Sequence, residues 1–199
     1  MKMKKICLLS ATLLTLLCFG SNIYAQDFGS ESTMTKQEAR KAARAAHKKA
    51  VAAENALEFE KAVQCLKEGS FVIEVDQILF PKGLIKYVSS LTNFISMQDG
   101  KAVIQIATSY FRPGPNGVGG ITVEGNASNI TMSKGKNGTV YYNFFDQGIA
   151  VSATVNIILS GDGNRATVTV YPNFNSNNIT MTGRLVPYEE SDVFQGQTI

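Results

Sequence analysis

Two hydrophobic periods divide the chain. Between residues 36 and 68 apolar positions recur at alternating spacings of four and three, with no proline or glycine to interrupt them. Ala39, Ala43, Ala46, Ala50, Ala53 and Leu57 make one stripe on that spacing, which is the period of a helix face. Thr35 and Glu38 match a capping box, and Gly69 suits the left-handed residue that ends a helix. The pattern therefore predicts a helix over 35–68. An alanine stripe buries little area, so the expected docking point is the last turns, which carry Leu57, Phe59, Val63 and Leu66.

After Gly69 the period falls to two. The stretch 71–79 is β-rich and ends at Pro81 and Gly83. A short apolar run over 94–97 turns through Asp99-Gly100 into 102–110, a hairpin signal. Further strands are expected over 121–124, 129–133, 139–145, 149–159, 166–171 and 179–186, joined by Asn137-Gly138 and by 161–164. About eight strands at short, regular spacing with no helix between them predict an antiparallel barrel, or failing that a two-sheet sandwich, over 69–199.

The first 25 residues obey neither period. Lys2, Lys4 and Lys5 precede an apolar run from Ile6 to Phe19, and Ala25 supplies a small residue at a cut site. That order is a secretory signal peptide, too short in its apolar part to span a bilayer comfortably. The expected product starts at Gln26, has a flexible leader over 26–34, and works in the periplasm or outside the cell. Leu17 before Cys18 is not the small residue a lipid anchor requires, so a cleaved form is expected over a lipoprotein.

This changes the charge picture. The whole chain has 19 basic and 16 acidic residues; taking away the three leading lysines leaves 16 of each. No general basic surface supports nucleic-acid binding. Cys65 alone survives cleavage, so no internal disulfide is expected, and its place on an apolar helix stretch points to a packed thiol. The positive charge concentrates on the helix start: Lys36, Arg40, Lys41, Arg44, Lys48 and Lys49 outnumber Glu38. Cations there oppose the helix dipole, so Arg40, Lys41, Arg44 and Lys48 are candidates for contact with an anionic membrane, a glycan or an acidic partner. A merely solvated helix face is the plainer reading.

Catalytic chemistry is sparse. His47, the only histidine, sits among lysines, which argues against a triad or a multi-histidine metal site. Glu74, Asp76, Asp99, Glu124, Asp146 and Asp162 are scattered over strands and turns. Glu74 and Asp76 are two apart and share a strand face, where they would bind a cation or do acid–base work, the plainer reading being a solvated strand face. The Gly-rich loop 113–120 leads into a strand, not a helix, so it lacks phosphate-cradle geometry. Tyr141 and Phe145 fall on one face of their strand and Tyr142 and Phe144 on the other. One pair belongs to the core, and the other is a candidate to line a ligand cavity or a partner surface.

The runs 70–76, 93–96 and 113–125 resemble the secreted Bacteroidetes family of domain of unknown function 4251, and 164–168, 172–177 and 185–187 continue the likeness. The resemblance implies an exported envelope protein with a lipocalin-like barrel and an N-terminal helix. It implies no catalytic residue and no cofactor. The functional expectation is a noncatalytic module that binds a small apolar or amphipathic ligand or another envelope protein. Glu74, Asp76, Tyr141, Tyr142, Phe144 and Phe145 are its candidate ligand residues. The alternatives are an adaptor working through the basic helix, and a hydrolase or lyase using the dispersed carboxylates. An interior with no cavity would count against the ligand carrier and for the adaptor.

Overall fold

The structure, a computed structural model, describes residues 35–108, 116–149, 151–173 and 177–198. The expected signal peptide, cut site and leader lie outside these residues, as do 113–115 of the Gly-rich loop.

Helix α1 covers Lys36–Glu68. Its start is the predicted capping box: the Thr35 N–H donates to Glu38 Oε2 at 2.8 Å, and the Glu38 N–H donates to Thr35 Oγ1 at 3.3 Å. Its end is a Schellman motif, with Gly69 at φ 67°, the Gly69 N–H on the Leu66 carbonyl and the Ser70 N–H on the Cys65 carbonyl. Only the last turns are covered. Ala62, Cys65 and Leu66 are buried, with Phe59 and Val63 packed beside them. Leu57, expected in that docking face, is 69 % exposed. At 3.6 residues per turn Leu57 lies roughly half a turn away from Leu66, so the alanine stripe and the docking face are opposite sides of one helix. Every stripe residue from Ala39 to Leu57 is exposed.

The strands described are β1 (Phe71–Leu79), β2 (Ile85–Tyr87), β3 (Phe94–Gln98), β4 (Lys101–Ala107), β5 (Gly120–Lys134), β6 (Val140–Gly148), β7 (Ser152–Leu159), β8 (Arg165–Pro172) and β9 (Ile179–Pro187). From β3 onward each pairs antiparallel with its successor, β3 pairs with β1, and β9 returns to β1 over Phe71 to Leu79. That last pairing closes an eight-stranded up-and-down barrel and excludes the sandwich. The short β2, which the sequence pattern misses, extends the β3 side of β1 beyond Glu74. The result is a lipocalin-like barrel preceded by one helix.

Two predicted strands are a single one. The runs 121–124 and 129–133 join in β5, where the register against β6 slips between Ser128 and Thr131 and Asn129 takes φ 52°. A bulge here keeps the strand continuous between the two runs. A second slip between Val75 and Gln77 keeps both Val75 and Ile78 in the interior.

The interior is packed by alternate residues of β1, β3, β4 and β6 to β9, among them Phe71, Ile73, Ile95, Met97, Ile104, Tyr142, Phe144, Ile157, Val168, Met181 and Leu185, with the partly buried Ala127 of β5 set against them. The last turns of α1 close the end where the chain enters β1. A smaller cluster lies on the outside, where Val72, Phe94 and Val103 are covered by Val186, Tyr188 and Val193. Beyond β9 the chain turns through Tyr188–Glu190 and runs extended over the outer face of β3 to β5.

Candidate functional site

The two ends of the barrel differ in chemistry. Toward α1 the interior is solid. Tyr142 meets Phe71 edge-on at 5.7 Å and Phe144 at 6.2 Å, and its hydroxyl donates to Met97 Sδ at 3.4 Å. Burial pushes the Tyr142 phenol up from its ordinary value. Tyr142 and Phe144 are thus the core pair of the aromatic run. Tyr141 stands on the outside and is exposed, with Phe145 half-buried on that same outer face. The four aromatics do not converge on one cavity.

Toward the opposite end the alternation that sends Val140, Tyr142 and Phe144 inward also sends Asp146 inward. Asp146 is 0 % exposed, and neither carboxyl oxygen has a hydrogen-bond partner among the described residues. Its cross-strand neighbours are small, Ala127 on β5 and Ala153 on β7. Gly125 makes the position possible, since a Cβ there would overlap Asp146 Oδ1 and the backbone at Gln147 and Gly148. Loss of water pushes the Asp146 pKa up to about 7, and the charge of Glu124 adds to the shift. The carboxyl therefore changes charge near neutral pH inside an apolar barrel. Apolar side chains flank this end: Leu79 closing β1, Ile121 opening β5 and Ile149 beyond β6 are exposed.

The two acids singled out by spacing do face the same way, but outward. Asp76 takes a two-pronged ion pair from Arg165, at 2.8 and 2.9 Å. Glu74 accepts from Ser191 Oγ at 2.9 Å and lies 3.5 Å from Arg184. Both are ion-paired on the barrel wall, away from Asp146. Among the described residues no group of three or more His, Cys, Asp and Glu is arranged to hold a metal ion. Cys65 is buried, and desolvation first, then the charge of Glu68, pushes its thiol up, away from thiolate chemistry. Arg40, Lys41, Arg44 and Lys48 are all exposed on α1. No helix of the described residues is long and apolar enough to cross a membrane.

A buried polar cluster that sequence reading missed lies outside the barrel wall. Gln105, 0 % exposed, donates to the carbonyls of Thr92 (2.9 Å) and Phe194 (2.8 Å). Its oxygen accepts from Thr122 Oγ1 and from the Gly196 N–H, each at 2.8 Å. All its bonding capacity is used. Asn116 joins the cluster through Thr122, holds the Val118 and Gly120 N–H groups, and accepts from the Gln197 N–H. This is the described part of the Gly-rich loop: it anchors the C-terminal segment and forms no phosphate cradle.

Residues 53–185 match the family described as domain of unknown function (DUF4251). Among solved structures the chain is similar to a crystal structure of a DUF4251 family protein from Bacteroides eggerthii. The two are 41 % identical with a TM-score of 0.62, over 71 % of this chain and 95 % of the other. No curated protein matches the chain.

Proposed function

The chain belongs to the DUF4251 family, and from that premise we propose that it is an exported, noncatalytic binding module whose barrel receives the polar end of a small amphipathic molecule at Asp146. The observation that carries this reading is the Asp146 carboxyl itself, buried and without a partner. A buried polar group without a hydrogen bond costs free energy, so a position of this kind favours a molecule that brings a donor. An amine or hydroxyl on an apolar chain supplies that donor. Ala127 and Ala153 leave small neighbours around it, and Leu79, Ile121 and Ile149 offer apolar surface at the same end. The packed layer of Tyr142, Phe144 and Phe71 limits the ligand to this end and does not suit a molecule enclosed along the whole barrel. Paired with arginines, Glu74 and Asp76 lend no support to the hydrolase or lyase alternative.

The charged start and apolar run of residues 1–19 support export to the periplasm or cell surface, with cleavage after Ala25. The experiment is native mass spectrometry of protein purified from its own cell envelope, paired with thermal shift against dodecylamine, dodecanol and dodecyl sulfate. The proposal expects a retained small molecule and stabilisation by the amine above the alcohol, both lost in Asp146→Asn. No retained mass, together with equal shifts for wild type and variant, rejects it.

A second reading rests on α1, where Arg40, Lys41, Arg44 and Lys48 are exposed on a helix stretch with no buried residue before Ala62. An adaptor that meets anionic surfaces would bind phosphatidylglycerol vesicles at low salt and release them as salt rises. Binding that ignores salt, or no binding at low salt, removes this reading.

A further inference from the structure

A barrel closes only where neighbouring strands overlap, and β5 is longer than its neighbour β4. Pairing between them ends at Lys101 opposite Asn126, with one further bond from the Ala127 N–H to the Gly100 carbonyl. Beyond that point β5 is held on one side alone, by β6 from Thr131 opposite Asn143 to Lys134 opposite Val140. All seven residues from Ser128 to Lys134 are exposed. Among the described residues nothing pairs with the other side of this stretch. The Gly135 N–H bonds to the Thr139 carbonyl, so antiparallel alternation turns the main chain of Ser133 and Thr131 toward β6. The N–H and C=O of Met132 and Lys134 are left facing the open side.

We propose that the free edge of β5 from Ile130 to Lys134 is a docking site for an extended strand of a partner protein, added antiparallel and carrying an acidic residue at its N-terminal end. Three features select that partner. The edge presents unpaired main-chain groups in strand geometry, which an incoming strand completes. Ile130 and Met132, two apart and both exposed, ask for apolar residues at alternate positions of the partner. From Ser128 to Val140 there is no acidic residue, while Lys134 and Lys136 lie at the turn end. An antiparallel partner brings its N-terminal end to that turn, which places an acid beside the two lysines.

Charge also disfavours a second copy of this chain: paired antiparallel, two such edges place Ile130 opposite Lys134 and bring no acid to either lysine pair. Lys134 at the end of the edge and the bulge at Asn129 guard against indiscriminate pairing, and they confine the site to five residues.

The test uses the exported chain from residue 26 onward and the capped peptide Glu-Thr-Ile-Thr-Val. Amide hydrogen exchange and nitrogen-edited NMR are followed at peptide concentrations on the order of 1 mM. The expected result is protection and shift of the Met132 and Lys134 amides, with at least fivefold weaker binding when the peptide's Glu is replaced by Lys. Met132→Pro deletes the edge-facing N–H while leaving the bonds to β6 in place, and should abolish the response. If that variant does not fold, a peptide N-methylated on its edge-facing amides must fail to bind wild type. Unmoved Met132 and Lys134 amides, or equal binding of the Lys-ended peptide, overturn the proposal. A concentration-dependent dimer in sedimentation that protects the same amides without peptide also overturns it, and assigns the edge to a second copy.

Discussion

Replacing Asp146 by asparagine tests the barrel interior most directly. The substitution keeps the shape of the side chain and removes its charge. In the unfolded chain an aspartate titrates near its ordinary value of 3.8, whereas in the barrel burial and Glu124 hold Asp146 at about 7. A raised acid pKa means that the folded state holds its proton while the unfolded state has lost it. Stability therefore falls as pH rises through this window, and levels off above the folded value. At about 1.4 kcal/mol per unit, the difference between pH 5 and pH 8 is about 2–3 kcal/mol if the whole shift is realised, and about 1–2 if water enters at the open end. Urea denaturation of both proteins from pH 5 to pH 8 measures it. The gap between variant and wild type should widen with pH in the variant's favour, by about 3–8 °C in melting temperature for a chain of this size. A gap constant across the range would refute the reasoning, because it would mean that the carboxyl is hydrated or paired. Subtracting the variant removes the other titrating groups common to both.

Gln105→Ala strips four hydrogen bonds at once and should cost about 2–4 kcal/mol, with accelerated hydrogen exchange at Gly196 marking release of the C-terminal segment. Phe71→Ala opens a cavity against Tyr142 in the packed layer and should lower stability by about 3–5 kcal/mol in urea melts, with no change in the pH dependence assigned to Asp146. Arg165→Ala breaks the exposed pair with Asp76; a change within about 1 kcal/mol and an unaltered thermal shift with dodecylamine are expected, and a lost shift would return Asp76 to the binding site. Gly69→Ala forces a side chain into the left-handed conformation at φ 67°, at a cost of about 1 kcal/mol by denaturation, although Met97 Sδ at 3.9 Å leaves room for the methyl group.

Local signals made the elements readable. Thr35 and Glu38 lie three apart and settle the helix start between themselves, and Gly69 ends it, so no distant residue was needed. The Asp99-Gly100 turn follows from two residues, both found at positive φ. The limits of β5 were not readable in this way. The alternating pattern marks only the runs 121–124 and 129–133, and pairing with β6 on both sides of the bulge carries one strand through the residues between them.

Features decided within a few residues follow directly from the amino-acid order: the helix and its caps, the alternation of most strands, and which residues share a face. Tyr142, Phe144 and Asp146 could be placed together by that alternation, and Glu74 with Asp76 likewise. Which face is the inside is not a local property. It depends on β9 returning to β1, which turns the Asp146 face inward into an apolar enclosure and leaves the Glu74 and Asp76 face outside, within reach of Arg184 and Arg165. The same closure, with β4 shorter than β5, leaves one edge of β5 without a strand beside it. Burial and pairing come from contacts far apart in the chain, and for that reason only the tertiary structure could distinguish the partnerless carboxyl from those that spend their charge on the surface.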